Sequence, residues 1–192
     1  MHKIAAPLLF LLLGCSAVRA QERRVEFSIG PILVDFSLPA GFERMSAEEV
    51  AAEFPRGGPR LVVFRQPRSG LLVTVNVFDA DGQGIGDVRS LKKRLESDFA
   101  AADPTARWLS RGVVKLGGDD WVRLRYKTAA GTGKVISETY ATLWAGEAVV
   151  VTFHGPAAEY EGRRAAFRKS AQSIKLSVLV NAPAGDAPPG RP

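Results

Sequence analysis

The alternation of apolar and polar residues along the chain predicts several strands. Residues 61–64 and 71–78 are two apolar, β-branched runs joined by a segment with proline and glycine, which is typical of an antiparallel hairpin. Residues 25–38 have the same character, and Gly30-Pro31 interrupts them, which predicts a strand, a kink and a strand. Residues 107–153 contain four further runs separated by turns, and they predict a four-stranded antiparallel meander.

Three other segments have helical patterns. The first, near residues 46–54, opens with Ser46-Ala47-Glu48-Glu49, a capping-box sequence. The second, near 87–102, opens with a capping aspartate and repeats apolar residues every three or four positions. The third, near 157–173, follows Pro156, which suits a first helical residue. Together these elements predict one α+β domain over residues 21–178, in which helices flank an antiparallel sheet of about six or seven strands.

The N-terminal residues have the layout of an export signal. A short basic start precedes an apolar run over residues 4–13, which is too short for a membrane span of about 20 residues. Cleavage after residue 20 would leave Gln21 as the first residue of a soluble mature chain. Leu12-Leu13-Gly14-Cys15 is the alternative, because it resembles a lipobox in which Cys15 is lipidated. We therefore expect an exported bacterial protein, periplasmic or envelope-anchored, with no transmembrane segment after processing.

Charge and cysteine content narrow the classes of function. Cys15 is the only cysteine, so a mature chain from Gln21 holds neither a disulfide nor a thiolate zinc site. Loss of residues 1–20 removes two of the 26 basic residues and none of the 20 acidic ones, which leaves a net charge of +4. This moderate charge does not indicate nucleic-acid binding. The proline- and glycine-rich residues 179–192 predict a disordered tail.

The loop before the second helix invites two ligand hypotheses. Its glycines at 82, 84 and 86 do not fit a dinucleotide fingerprint, because the third glycine position is occupied by Asp87. Its oxygen-bearing residues partly fit a calcium loop, but Ser90 stands where the bidentate glutamate belongs. We therefore predict no cofactor and no metal site.

His154 is the candidate residue for catalysis. It is the only histidine left after export, so a histidine metal cluster is excluded, and the chain contains no Gly-x-Ser-x-Gly elbow. A histidine at a strand end more often satisfies nearby backbone groups. The sequence therefore predicts a protein that is not an enzyme, and a hydrolase centred on His154 is the third-ranked function.

A basic stripe is the candidate binding surface. Strand alternation from residue 121 places Trp121, Arg123, Arg125 and Lys127 on one face. Such a stripe could bind anionic lipid, lipopolysaccharide or an acidic protein. The alternative is a solvated sheet face neutralised by neighbours such as Glu138.

Three short stretches carry a resemblance to a known fold. They are Phe-Ser-Leu-Pro-Ala-Gly-Phe at residues 36–42, Leu-Gly-Gly-Asp-Asp-Trp-Val at 116–122, and Phe167 followed by Ser-Ile-Lys-Leu at 173–176. With the order of elements, they resemble the PsbP-like and DcrB-like superfamily over roughly residues 25–176. The resemblance implies a PsbP-like α/β/α sandwich and a largely non-catalytic family with no shared active site.

Three functions follow in order of preference. The first is a non-catalytic envelope accessory protein that binds another protein or an assembly. The second is a periplasmic module that holds a small ligand or lipid in a pocket between sheet and helices. The hydrolase is the third.

Overall fold

The computed structural model describes residues 22–55, 57–58, 60–130 and 133–179. Within them the helices are α1 (Ala47–Glu53), α2 (Val88–Ala102) and α3 (Ala157–Gln172). The strands are β1 (Arg23–Ile29), β2 (Ile32–Leu38), β3 (Glu43–Arg44), β4 (Leu61–Gln66), β5 (Leu71–Asp79), β6 (Arg107–Leu116), β7 (Asp119–Ala130), β8 (Gly133–Trp144), β9 (Glu147–Pro156) and β10 (Lys175–Val178).

Seven strands form one antiparallel sheet in the order β3-β4-β5-β9-β8-β7-β6. The β4–β5 hairpin and the β6–β9 meander each pair locally, and the pairing of β5 with β9 joins them. A two-residue turn connects β6 to β7, and its residues Gly117 and Gly118 have φ angles of 61° and 98°. Two consecutive positive φ angles are typical of a type I′ turn, which favours glycine at both positions.

A second sheet of three strands has the order β1-β2-β10. The β1–β2 hairpin turns at Gly30-Pro31, and β10 pairs with the other side of β2 after α3 has brought the chain back. The backbone amide of Leu179 donates to the Pro31 carbonyl at 3.0 Å and extends this pairing.

The two faces of the seven-stranded sheet bury different cores. On one face, the three-stranded sheet and α3 enclose a core rich in aromatic residues, with Phe36, Phe153 and Tyr160 almost fully buried. On the other face, α2 packs through Leu91 and Leu95 on β7 and β8. Burial of apolar surface on both faces stabilises the central sheet between two outer layers.

The predicted α+β fold class, the antiparallel sheet of about six or seven strands and the flanking helices are confirmed. The capping box of α1 is present, because the Ser46 amide donates to Glu49 Oε2 at 2.8 Å and the Glu49 amide donates to Ser46 Oγ at 3.2 Å. Asp87 caps α2 by accepting from the Ser90 amide at 2.6 Å. Pro156 precedes α3 and ends β9, so its prediction as a first helical residue is wrong by one position.

The termini supply no structural test of the predicted processing. The predicted export signal, Gln21 and Cys15 lie outside the described residues, and so does the predicted tail from residue 180 onward. In the part of the chain that is described, no helix is long and apolar enough to cross a membrane.

Candidate ligand-binding groove

An open groove of about 710 Å³ crosses the face of the seven-stranded sheet on which α2 packs. It exists because α1 packs on β4 and α2 packs on β6, β7 and β8, which leaves β5 and β9 uncovered between them. Arg65 of β4 holds α1 in place through Glu49 and Glu53, at 3.0 and 2.8 Å. Phe54, directly after α1, lines the groove.

The floor of the groove is built by strand alternation. In β5 the odd-numbered residues 71–77 point into the aromatic core and are at most 1% exposed. The even-numbered residues are half-buried and line the groove; they are Leu72, Thr74, Asn76 and Phe78. Since alternate side chains point to opposite faces, each core residue of β5 is followed by a groove residue.

Hydrogen-bonding side chains cluster at one end of the floor. The strand registers place Tyr126, Ser137 and His154 side by side in one row across β7, β8 and β9. Ser137 Oγ lies 2.6 Å from His154 Nδ1. In the adjacent row, the Thr139 and Thr152 hydroxyls are 3.0 Å apart, and Thr74 lies opposite Thr152.

Burial keeps this row uncharged near neutral pH. Desolvation lowers the pKa of His154, so the imidazole is neutral at pH 7. Burial raises the pKa of Tyr126, and a hydrogen bond with Ser137 opposes that rise only in part. The row therefore offers neutral donors and acceptors.

Apolar side chains dominate the opposite end of the groove, where Asn76 and Gln83 are the polar lining residues. Phe78 and Val150 continue the floor away from His154, and Leu61, Phe54 and Leu95 form the sides. Phe99 of α2 closes the wall near the polar row, with its ring centroid 5.1 Å from that of Tyr126. Groove polarity therefore changes from hydrogen-bonding to apolar along the strands.

The charged residues that line the groove are Arg94, Asp98 and Asp103. Arg94 Nε donates to both carboxylate oxygens of Asp98, at 3.0 and 2.8 Å. Asp103 Oδ1 accepts from the amide and the hydroxyl of Thr105. The groove thus has no surplus of positive charge to attract an anion.

The contact between Ser137 and His154 suits ligand binding better than nucleophilic catalysis. Ser137 is only 3% exposed and lies within β8, which is paired on both sides. Its neighbouring amides are used in the strand ladders, whereas an oxyanion hole needs amides that can donate to substrate. Ser137 therefore has no oxyanion hole beside it, which acyl transfer would require.

The predicted basic stripe lies on the opposite face of the sheet, where α3 packs on β8 and β9 and contacts Arg125. Trp121 and Arg125 are only 2% and 8% exposed, so the expectation that they form an exposed binding surface is wrong. Arg125 pairs with Glu161 of α3 and lies 5.7 Å from the ring centroid of Tyr160. Arg123 and Lys127 are half-buried. Sequence alternation identified the shared face correctly but could not show that a helix covers it.

Glu138 is the centre of this buried polar cluster. Its Oε1 accepts from Arg123 Nε at 2.6 Å and from the Tyr140 hydroxyl at 2.9 Å, and its Oε2 accepts from the Tyr160 hydroxyl at 2.5 Å. Burial by itself would raise the pKa of Glu138, but the hydrogen bonds from Tyr160 and Arg123, with the charge of Arg123, lower it overall. Glu138 therefore stays ionised and neutralises Arg123, as the alternative interpretation of the stripe expected.

Comparisons with solved structures identify the fold. The chain aligns with the solution structure of cyanobacterial PsbP from Synechocystis sp. PCC 6803 with a TM-score of 0.57 and 16% identity, over 88% of this chain and 99% of that one. The Ran-binding protein Mog1p of Saccharomyces cerevisiae gives 0.52 and 11%, over 81% and 96%. LpqN of Mycobacterium tuberculosis, described as involved in cell envelope biogenesis, gives 0.52 and 14%, over 82% and 91%. The fold is PsbP-like.

At the sequence level, neither a protein-family model nor a curated protein matches the chain. The structural likenesses lie below 25% identity, so the PsbP-like fold is shared without any indication that site residues are shared. The groove of this PsbP-like chain therefore has to be interpreted from its own side chains.

The loop before α2 uses its carboxylates locally in this PsbP-like domain. Asp79 Oδ1 accepts from the Gly82 amide at 2.8 Å, and Asp87 is the cap of α2. Among the described residues, no group of three or more potential ligand side chains is placed to hold a metal ion. Whether calcium binds the loop stays a prediction, and we expect no effect of calcium on stability.

Proposed function

We propose that this chain is a non-catalytic binding protein exported to the bacterial envelope, and that the groove between α1 and α2 is its binding surface. One observation carries the proposal: a floor of half-buried apolar and hydrogen-bonding side chains lies uncovered between two helices. Ordinary monomer surfaces seldom combine concavity, apolar walls and convergent polar groups in one place.

Two further observations support an accessory role in the envelope. The first is the export signal in the sequence, with its alternatives of a soluble chain from Gln21 or a chain anchored through a lipidated Cys15. The second is the printed description of two proteins with the same fold, one as Ran-binding and one as involved in cell envelope biogenesis. The first description fits a fold that presents a binding surface, and the second fits a role in the cell envelope.

The test compares a variant that blocks the groove with one that adds the same side chain elsewhere. Thr74→Trp places a large ring in the middle of the floor, and Ser177→Trp places it at an exposed position of β10 in the other sheet. Each purified mature protein is immobilised and exposed to solubilised envelope, and retained components are identified by mass spectrometry. We expect the same components with wild type and Ser177→Trp, and their loss with Thr74→Trp.

Two results would contradict the proposal. One is retention that is identical for all three proteins, provided that circular dichroism shows Thr74→Trp to be folded. The other is turnover of an ester or amide panel by wild type that disappears in Ser137→Ala, because that result would identify a hydrolase.

A further inference from the structure

We infer that the groove binds an uncharged amphiphile, whose hydrogen-bonding head lies at Tyr126, Ser137 and His154 and whose apolar chain lies along Val150 and Phe78. This inference rests on the proposed function and adds the chemical class of the ligand. It follows from the distribution of polar groups, the local charge and the pairing of the sheet.

The distribution of polar groups along the floor favours a ligand with one polar end. The row at Leu72, His154, Ser137 and Tyr126 is followed by a row containing Thr74 and Thr152. The next row places Asn76 beside Val150, and the row after it places Phe78 beside Ala148. A ligand whose polar groups are confined to one end would satisfy the hydroxyls and the imidazole and still bury its chain.

The same distribution disfavours an extended polypeptide. Each peptide unit carries one donor and one acceptor, so a bound segment would bring polar groups along its whole length. The strands beneath the groove are already paired on both sides, so β5 and β9 have no free ladder positions to offer. Beyond the threonine row the polar lining side chains near the end of β5 are Asn76 and Gln83, so most backbone groups of such a segment would lose water without gaining partners.

Local charge favours an uncharged head. Arg94 is paired with Asp98 on the α2 wall, and Asp103 adds a carboxylate near the end of α2. An anionic head would therefore meet no free cation among the groove-lining residues. A cationic head would find only Asp103, whose Oδ1 already accepts from Thr105, and would lose water beside a neutral imidazole, whose pKa burial lowers. An uncharged head has neither cost.

The test uses three ten-carbon amphiphiles that differ in head group: 1-decanoylglycerol, decanoate and decyltrimethylammonium. Binding to the purified mature chain is measured by calorimetry below the micellar concentrations and by the shift of the melting temperature. We expect the glycerol ester to bind about tenfold or more tightly than either ion, because an anionic head meets no free cation and a cationic head meets only a carboxylate that already accepts from Thr105.

Variants separate the head site from the chain site. Thr74→Trp should abolish binding of the glycerol ester, and Ser177→Trp should not change it. His154→Leu removes the imidazole but keeps apolar volume, so it should weaken the glycerol ester and leave the two ions nearly unchanged. The preference for the uncharged head should therefore shrink in His154→Leu. Circular dichroism confirms that each variant is folded.

Several outcomes would overturn the inference. Equal affinity for the three amphiphiles, no binding of the glycerol ester, or unchanged binding by folded Thr74→Trp would each do so. If no amphiphile binds while Thr74→Trp still removes a protease-sensitive envelope component, then the ligand is a polypeptide and the proposed function stands without this ligand class. If Thr74→Trp changes neither measurement, both proposals fail.

Discussion

At the scale of single residues, the ionised Glu138 under α3 is a buried charge held by several hydrogen bonds. It is 4% exposed and accepts hydrogen bonds from an arginine and two tyrosines. Burial and the negative charge of Glu138 raise the pKa of both Tyr140 and Tyr160, so both phenols stay protonated and donate. Removal of this charge would leave the half-buried Arg123 without its counter-ion.

We predict that Glu138→Gln lowers the free energy of unfolding by about 3 kcal/mol, because loss of one member of a buried pair leaves an uncompensated charge. The matched control is Asp120→Asn, which breaks the pair between Lys115 and Asp120, whose side chains are 68% and 54% exposed, and should cost less than about 1 kcal/mol. Urea denaturation measures both values. Similar small losses in the two variants would contradict a central role for Glu138.

The burial of His154 predicts that the free energy of unfolding depends on pH. Its folded pKa lies below the ordinary value of 6.5 because the imidazole is desolvated. The unfolded chain therefore binds a proton at a higher pH than the folded chain does, and stability falls as the pH drops from about 7 through the folded pKa.

We expect His154→Gln to lose the decrease in stability between pH 7 and the folded pKa of His154. The variant should keep the loss of stability below pH 4.5 that comes from the carboxylates, Glu138 among them. Denaturation curves at pH 7.5, 6.5 and 5.5 test this window. Parallel decreases in wild type and variant would show that other groups govern it.

At the scale of elements, α1 is the least anchored helix. It spans seven residues, contains no buried residue among those seven, and contacts β4. Its capping box and the Arg65 ion pairs to Glu49 and Glu53 supply its local stability. Helices this short need such support, because isolated helices of this length are unstable in water.

Ser46→Ala should destabilise α1 by about 1 kcal/mol, because the Glu49 amide loses its acceptor. Hydrogen exchange should accelerate at the amides of α1 and stay unchanged in α2, which has its own cap at Asp87. Since Phe54 follows α1 at the side of the groove, affinity for a groove ligand should also weaken. Acceleration throughout the domain would show that α1 does not open independently.

At the scale of the whole molecule, the domain is held together by the pairing of β5 with β9 and of β2 with β10. Both pairings join segments far apart in sequence. They close the sheets without disulfides, since Cys15 is the only cysteine.

We predict that the mature protein recovered from the envelope begins at Gln21 or at a lipidated Cys15. Signal peptidase cleavage requires small residues such as Ala20, and lipidation requires the cysteine that Leu12-Leu13-Gly14 precedes. Intact mass distinguishes the two forms, because a lipidated terminus adds acyl chains. Recovery of the full chain with Met1 retained would contradict export.

The sequence by itself determined the elements that depend on local chemistry. Ser46 and Asp87 cap helices wherever those helices pack, because the cap is satisfied within three residues. The β4–β5 hairpin and the β6–β9 meander were likewise predictable, since adjacent apolar runs joined by turns pair with each other. The resemblance of residues 36–42 and 116–122 to the PsbP-like pattern indicated the fold for the same reason.

Tertiary structure alone decided which surfaces are free. Strand alternation places Arg123 and Arg125 on one face of the sheet. The return of α3 across that face buries Arg125, and the groove lies on the other face. Ser137 was not singled out from sequence, because it becomes a partner of His154 only when β8 and β9 adopt their register. Periodicity reports which residues share a side of a strand, whereas long-range packing decides what covers that side.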